Sequence, residues 1–168
     1  MIHVGIDPST EALACVALSG DEFSIRTYSL QGKDITARVG AAHKASHRMV
    51  DYFMRVLPAA PLFVAIEAPV AVKGRQTLIK MSQVSGAVIA ALVARDEVFG
   101  IVQVPPSTWK KEVVGKGNVN KQQVGEWVRD EWPEFHRRSA GDQDALDASC
   151  IARYARAVDS RVGHLRLA

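Results

Sequence analysis

Five apolar residues in an unbroken run, Leu62-Phe63-Val64-Ala65-Ile66, stop at a charged Glu67 and then at Ala68-Pro69. A run of strand length with no polar alternation suits a strand buried on both faces, and such a strand needs a layer of helix above it and another below. The rest of the chain has the patterns to supply both layers. Ile2-His3-Val4-Gly5-Ile6-Asp7 is a run of β-type residues stopped by Pro8, and Ala12–Leu18 and Phe23–Leu30 are strand-like runs joined by the turn composition Ser19-Gly20-Asp21-Glu22. These three read as an antiparallel meander. From Asp34 the period changes: Ile35, Val39, Ala42, Ser46, Met49, Phe53 and Val56 recur at helical steps until Pro58 and Pro61.

Thr77–Val93 reads as a helix that is apolar almost all round from Val84 onward, so it requires two partners. The sheet is one, and a second subunit is a candidate for the other, with Gly86 and the alanines permitting close approach. Phe99–Val104 reads as a fifth strand, Ser107-Thr108-Trp109 opens a short helix to Val114, and Asn120 caps a helix over Lys121–Glu131. After Pro133 a polar, basic loop is expected over Phe135–Gly141, then a last helix from about Asp142 to Val158. The fold class is α/β: a mixed five-stranded sheet with helices on both faces.

The chain has 168 residues, 48% of them apolar, which matches one ordinary globular domain and excludes a collagen, a coiled coil or a largely disordered chain. No unbroken apolar run approaches the roughly 18 residues that cross a bilayer, and Met1-Ile2-His3 does not open a basic, then apolar leader. No membrane association is expected. Cys15 and Cys150 lack metal-ligand spacing and read as reduced core residues of a cytoplasmic protein.

The net charge of +3 is unevenly spread. Residues 1–72 hold six Lys/Arg against seven Asp/Glu, residues 73–121 eight against three, and residues 122–168 seven against eight. The middle third carries the positive excess, so Lys73, Arg75, Lys80, Lys110, Lys111, Lys116 and Lys121 are candidates for contact with nucleic acid; a solvated lysine face is the plainer alternative.

Four acids stand out. Asp7 and Glu67 each close a hydrophobic strand, and Asp144 and Asp147 are spaced i, i+3 on one face of the last helix. Asp142 reads as that helix's cap. Acids gathered at partly buried strand ends repel one another and lose hydration, so such a cluster calls for a cation. All-oxygen ligands select Mg²⁺ or Mn²⁺. For any one acid alone, a cap or turn role is the simpler reading.

Gly5-Ile6-Asp7-Pro8-Ser9, Ala65-Ile66-Glu67, Gln83-x-x-Gly86, Val113-Val114-Gly115-x-Gly117-x-x-x-Lys121-x-x-Val124 and Asp144-Ala145-x-Asp147-Ala148 together resemble a RuvC-type Holliday-junction resolvase of the RNase H-like superfamily. The resemblance runs in order over roughly residues 2–155. It implies an RNase H-like nuclease domain over 1–158 with a basic tail over 159–168, working as a homodimer on four-way junctions of branched DNA. It also implies a divalent-metal-dependent endonuclease with no small-molecule cofactor. Asp7, Glu67, Asp144 and Asp147 would be the catalytic metal ligands, with Mg²⁺ as the ion and Mn²⁺ able to substitute. In a two-metal site Asp7 would bridge both ions, Glu67 and Asp144 would bind one each, and Asp147 would complete the set or position water. Lys110 and Lys121 align with basic residues used on DNA. Val70 stands where bacterial members carry an aromatic residue associated with the junction, and Arg153, Arg156, Arg161 and Arg166 are an addition.

Gly5-Ile6-Asp7-Pro8-Ser9-Thr10 also resembles the first phosphate loop of sugar kinases and actin-like ATPases, but no second such motif follows. A DDE transposase would bring a separate DNA-binding domain, for which the chain has no room. The remaining alternative is a catalytically silent branched-DNA-binding or assembly protein on the same fold; metal-dependent nicking separates it from an enzyme. Trp109 and Trp127 are positioned as possible stacking groups, although Trp127 falls with Val124 and Val128 on a core-facing stripe.

Overall fold

The computed structural model describes residues 1–70 and 74–166, with side chains as far as Arg161. Strands β1 (Ile2–Pro8), β2 (Ala12–Ser19) and β3 (Glu22–Ser29) precede helix α1 (Ile35–Val56). Strand β4 (Leu62–Glu67), α2 (Arg75–Val93) and β5 (Val98–Val104) follow, and then α3 (Pro106–Val113), α4 (Lys121–Glu131), α5 (Pro133–Arg138) and α6 (Gln143–Arg166). The sheet order is β3-β2-β1-β4-β5, with β2 antiparallel to both β1 and β3, and β4 and β5 parallel to β1. This is the mixed five-stranded sheet that the apolar run at 62–66 requires.

Side-chain parity sorts the core into two layers. Ile2, Val4 and Ile6 of β1, Leu13 and Cys15 of β2, and Leu62, Val64 and Ile66 of β4 pack with Ala42, Met49 and Phe53 of α1 and with Val84, Val88 and Leu92 of α2. Ala14, Val16, Leu18 and Ala65 face the other way, onto Ala148, Ile151, Ala152 and Ala155 of α6. Odd positions of β1 and β4 therefore face α6, and Asp7 and Glu67 are both odd. Gly5 makes the closest contact. A Cβ built on it would lie 2.1 Å from the Ala148 carbonyl oxygen and 2.2 Å from the Ala152 nitrogen, so α6 lies directly on the β1 backbone.

Three boundaries differ from the sequence reading. Residues 135–138, expected as loop, belong to α5: Pro133 sits at its first turn, where a missing N–H costs nothing. Phe135 is fully buried, 4.5 Å from the Trp132 ring and 5.2 Å from Phe23, and this aromatic cluster outweighs the polar composition around it. Helix α2 begins at Arg75 rather than Thr77. Helix α6 continues through Arg166 rather than ending near Val158; Asp159 Oδ2 accepts from His3 Nε2 at 2.9 Å, and Arg161 pairs with Glu112. By length and composition alone α2 could also cross a bilayer, although polar residues interrupt its apolar run; in the fold its Val84, Val88, Ala91 and Leu92 are buried.

Gly5→Ala should cost at least about 3 kcal/mol, because the intruding methyl meets helix backbone on a layer that cannot yield. Gly40→Ala, with open space around its exposed position in α1, should stabilise by about 0.5–1 kcal/mol. Urea denaturation of both variants measures the contrast; equal effects would mean that α6 does not rest on β1 at this point.

Candidate active site

Strand parity and the Gly5 contact bring the acids to one end of the sheet. Asp7 follows Ile6 at the C-terminal end of β1, opposite Ala14 of β2, and Glu67 is the last residue of the parallel neighbour β4. Over them lies the first turn of α6. Asp142 Oδ1 accepts from the Asp144 N–H at 3.1 Å, the capping role read from the sequence, and the i, i+3 spacing puts Asp144 and Asp147 on the same helical face. Asp147 is only 7% exposed.

Three of the four carboxylates have a partner of their own. Trp109 Nε1 donates to Glu67 Oε2 at 2.8 Å, and Gln143 Nε2 donates to Asp147 Oδ1 at 2.9 Å. Lys121 Nζ lies 3.6 Å from Asp144 Oδ1. Lys110 donates to the Val119 carbonyl at 3.0 Å, which fixes its ammonium near Glu67 and Asp147. Trp109 is fully buried, so it is a hydrogen-bond donor to the site and not a stacking platform. Trp127 is half-buried, with the Arg153 guanidinium 5.4 Å from its ring centre.

The electrostatics are those of crowded acids. Burial holds the Asp7 carboxyl well above the usual carboxylate range, and the charges of Glu67, Asp147 and Asp144 push it further. Burial also raises Glu67, against the lowering effect of the Trp109 hydrogen bond. Asp147 is raised by burial and held back by Gln143, Lys121 and Lys110. Among the described residues no three His, Cys, Asp or Glu side chains stand close enough together to hold a metal ion, and Trp109, Gln143 and Lys121 each engage a different carboxylate. The donor set nonetheless fits a hard divalent cation: it is all oxygen, and Asp7 is burdened by three like charges that such an ion would offset.

The basic candidates divide. Lys110 and Lys121 face the carboxylates, whereas Lys111 and Lys116 are exposed on α3 and on the turn after it. Arg75 and Lys80 are exposed at the start of α2, and Lys80 shares a cleft with Thr10, Lys33 and Arg38. Lys73 lies outside the described residues. Sequence reasoning missed Trp109 and Gln143 as partners of the acids. For Gln143 a signal existed, its i, i+4 spacing to Asp147; for Trp109 none did, because 42 residues separate it from Glu67.

Two predictions follow from this charge balance. The folded-state pKa of Asp7 lies above its unfolded value, so its protonated form favours the fold at acid pH and stability is lost as pH rises through the raised value. In metal-free buffer at neutral pH, Asp7→Asn should melt above wild type, at roughly 2–4 °C for each kcal/mol relieved, and the gap should close in acid. Thermal melts across pH measure it; a variant that melts lower at neutral pH contradicts the assignment. Trp109→Phe keeps most of the apolar volume but removes the hydrogen bond that lowers Glu67, so the acid limb of the pH–cleavage profile should move to higher pH; an unmoved limb would contradict that role for the hydrogen bond.

The comparisons with known proteins agree with this geometry. A family model described as crossover junction endodeoxyribonuclease RuvC matches residues 3–153. The crossover junction endodeoxyribonuclease of Salinibacter ruber is 29% identical over 156 residues, covering 90% of this chain and 83% of that one. Its counterpart in Chlamydia abortus is 31% identical over 128 residues, covering 72% of this chain and 73% of its own. In structure, Thermus thermophilus RuvC in complex with a Holliday junction substrate superposes with a TM-score of 0.68 at 20% identity over 97% of both chains, which shows the RNase H-like fold. A yeast mitochondrial Holliday junction resolvase superposes at 0.53, with 12% identity, over 89% of this chain and 75% of that one. With acids at the ends of β1 and β4 and on the first turn of α6, and with the family model spanning nearly all of it, the chain belongs to the RuvC family of crossover junction endodeoxyribonucleases.

Proposed function

We propose that this protein is a structure-selective endonuclease that cuts four-way DNA junctions symmetrically as a homodimer, using Mg²⁺ held by Asp7, Glu67, Asp144 and Asp147. The observation that carries the reading is the crowding of these acids at one end of the sheet beside Lys110 and Lys121. Divalent-metal dependence is general in the family. When bound, such an ion makes water a stronger nucleophile and offsets charge at the leaving oxygen of a phosphodiester. Mn²⁺, with the same preference for oxygen, should substitute.

The chain's own groups do the positioning. Trp109 fixes the Glu67 carboxylate by one oxygen and leaves the other for a ligand, and Gln143 does the same for Asp147. Lys121 screens Asp144, and an arriving phosphate competes for that ammonium. The two buried, free cysteines fit a reducing cytoplasm.

Support for a dimer comes from the outer face of α2. Ile79 is 41% and Val93 72% exposed, and the exposed positions Ile79, Gln83, Gly86, Ala90 and Val93 alternate steps of four and three, the spacing of a two-helix seam. Ile89 points inward against the core, so of the two isoleucines Ile79 is the one available to a partner. Two-fold symmetry gives two cutting sites for two symmetric cuts.

Labelled junctions, flaps and linear duplexes incubated with the protein and Mg²⁺ test this. Paired cuts at symmetric positions in the junction are expected, lost in Asp7→Asn and Glu67→Gln with binding retained. Tight junction binding without cleavage of any substrate would favour the silent DNA-binding protein instead. Lys110→Ala and Lys121→Ala should each lower the salt slope of log K by about 0.9 for one phosphate contact. Ile79→Asp should give a monomer in sedimentation that nicks without resolving; a dimeric, fully resolving Ile79→Asp protein would remove α2 from the interface.

A further inference from the structure

Residues 1–72 look neutral when counted, with six cations and seven acids, but the fold separates the two signs. Arg26, Lys33, Arg38, Lys44, Arg48 and Arg55 all fall on β3, on α1 or on the loop between them. Two acids stay on this side, Glu11 with Oε1 3.9 Å from Arg38 Nη1 and Asp34 in the cleft beside Lys33 and Arg38, and the other five lie elsewhere or are paired. Asp7 and Glu67 join the carboxylate centre, Asp34 caps α1 by accepting from the Ala37 N–H, and Asp21 and Glu22 lie at the far end of the sheet, in the turn that starts β3. Asp51, the one carboxylate on α1, accepts from Arg95 Nη2 at 2.7 Å. What remains is a positive flank where α1 lies over the open edge of the sheet.

The flank is shaped as well as charged. A groove of about 840 Å³ between β3 and α1 is lined by Tyr28, Ser29, Gln31, Lys44, His47 and Arg48. The Arg26 guanidinium lies 4.1 Å over the Tyr52 ring and the Arg48 guanidinium 5.4 Å over the Tyr28 ring. A ring against the face of a guanidinium restrains it while leaving its N–H edge for oxygen acceptors. Lys44 and Arg48 are one helical turn apart, about 6 Å along the axis. Strand β3 runs in the same direction as β1, so the groove opens at the carboxylate end of the sheet, where a neighbouring cleft sets three cations, Lys33, Arg38 and Lys80, against Asp34 and the Glu11 that pairs with Arg38. An open edge strand can also accept a peptide strand, but that mode needs apolar pockets for alternate side chains, and the exposed groups of β3 here are Arg26, Thr27 and Ser29.

We propose that this flank binds the phosphate backbone of a duplex arm as it leaves the branch point, a second DNA contact remote from the cut. It rests on the reading of the protein as a junction endonuclease, whose substrate has arms that reach past the centre. Helix α1, with 22 residues, spans about 33 Å, close to the length of ten base pairs.

The test compares junctions with short arms and with arms roughly ten base pairs longer, their binding followed against salt in metal-free buffer. Lys44→Ala/Arg48→Ala should match wild type on short arms and lose about 1.8 from the salt slope on long arms, 0.9 for each phosphate contact. Arg129→Ala/Arg137→Ala, an equal loss of charge on another exposed surface, should leave both slopes unchanged. An unchanged long-arm slope in the first variant overturns the proposal. So does an equal fall on short arms, or an equal fall in the control. Cleavage of the short-armed junction in Mg²⁺ is scored in parallel: if wild type does not cut, the endonuclease reading fails by itself, and the slope difference on long linear duplex still decides whether the flank holds DNA.

Discussion

Helix α6 rests on the backbone of β1 at Gly5, and the placement of every acid depends on how close that contact is. With no side chain at position 5, the helix comes down until the Ala148 carbonyl and the Ala152 nitrogen occupy the space a Cβ would take. The small residues Ala148, Ala152 and Ala155 continue the contact along the helix. At this depth the first turn of α6 stands directly over the ends of β1 and β4. Alternation along those strands turns Asp7 and Glu67 toward the same face. Removing the contact would lift Asp144 and Asp147 away from the strand carboxylates.

The same closeness has a cost in stability. Asp7 is partly buried among like charges, and its carboxyl is held well above the ordinary range by burial and by its neighbours. Natural folds tolerate such an arrangement where it serves a function, at the expense of the stability an uncharged residue would give. The surrounding groups limit the strain. Trp109 and Gln143 each hold one carboxylate by hydrogen bond, and Lys110 and Lys121 bring positive charge to the rim. On the proposed reading these are the contacts that keep four oxygen-bearing side chains oriented while a divalent ion and a phosphate compete for them.

Much of this was legible in the sequence because it rests on local pattern. The apolar run ending at Glu67 marks a doubly covered strand, Pro8 and Pro69 mark the ends where acids stand, and i, i+3 spacing aligns Asp144 with Asp147. The helix over 135–138 was not legible, since its reason is an aromatic cluster in which Phe23 lies over a hundred residues from Trp132 and Phe135. The Trp109–Glu67 hydrogen bond is invisible for the same reason. Charge counted along the chain points only to the middle third; the cations of β3 and α1 are hidden in that count by acids such as Asp51, which the fold pairs with Arg95, and Asp34, which caps α1.

The central claim is that Asp7, Glu67, Asp144 and Asp147 form one cation-holding centre on the α6 face of the sheet. Anomalous diffraction from crystals soaked in Mn²⁺ at neutral pH tests it most directly. The account predicts a peak within coordination distance of an Asp7 oxygen and of at least one carboxylate from β4 or α6, absent in Asp7→Asn crystals. Manganese bound elsewhere, with these four side chains unliganded at full occupancy of the other sites, would contradict it.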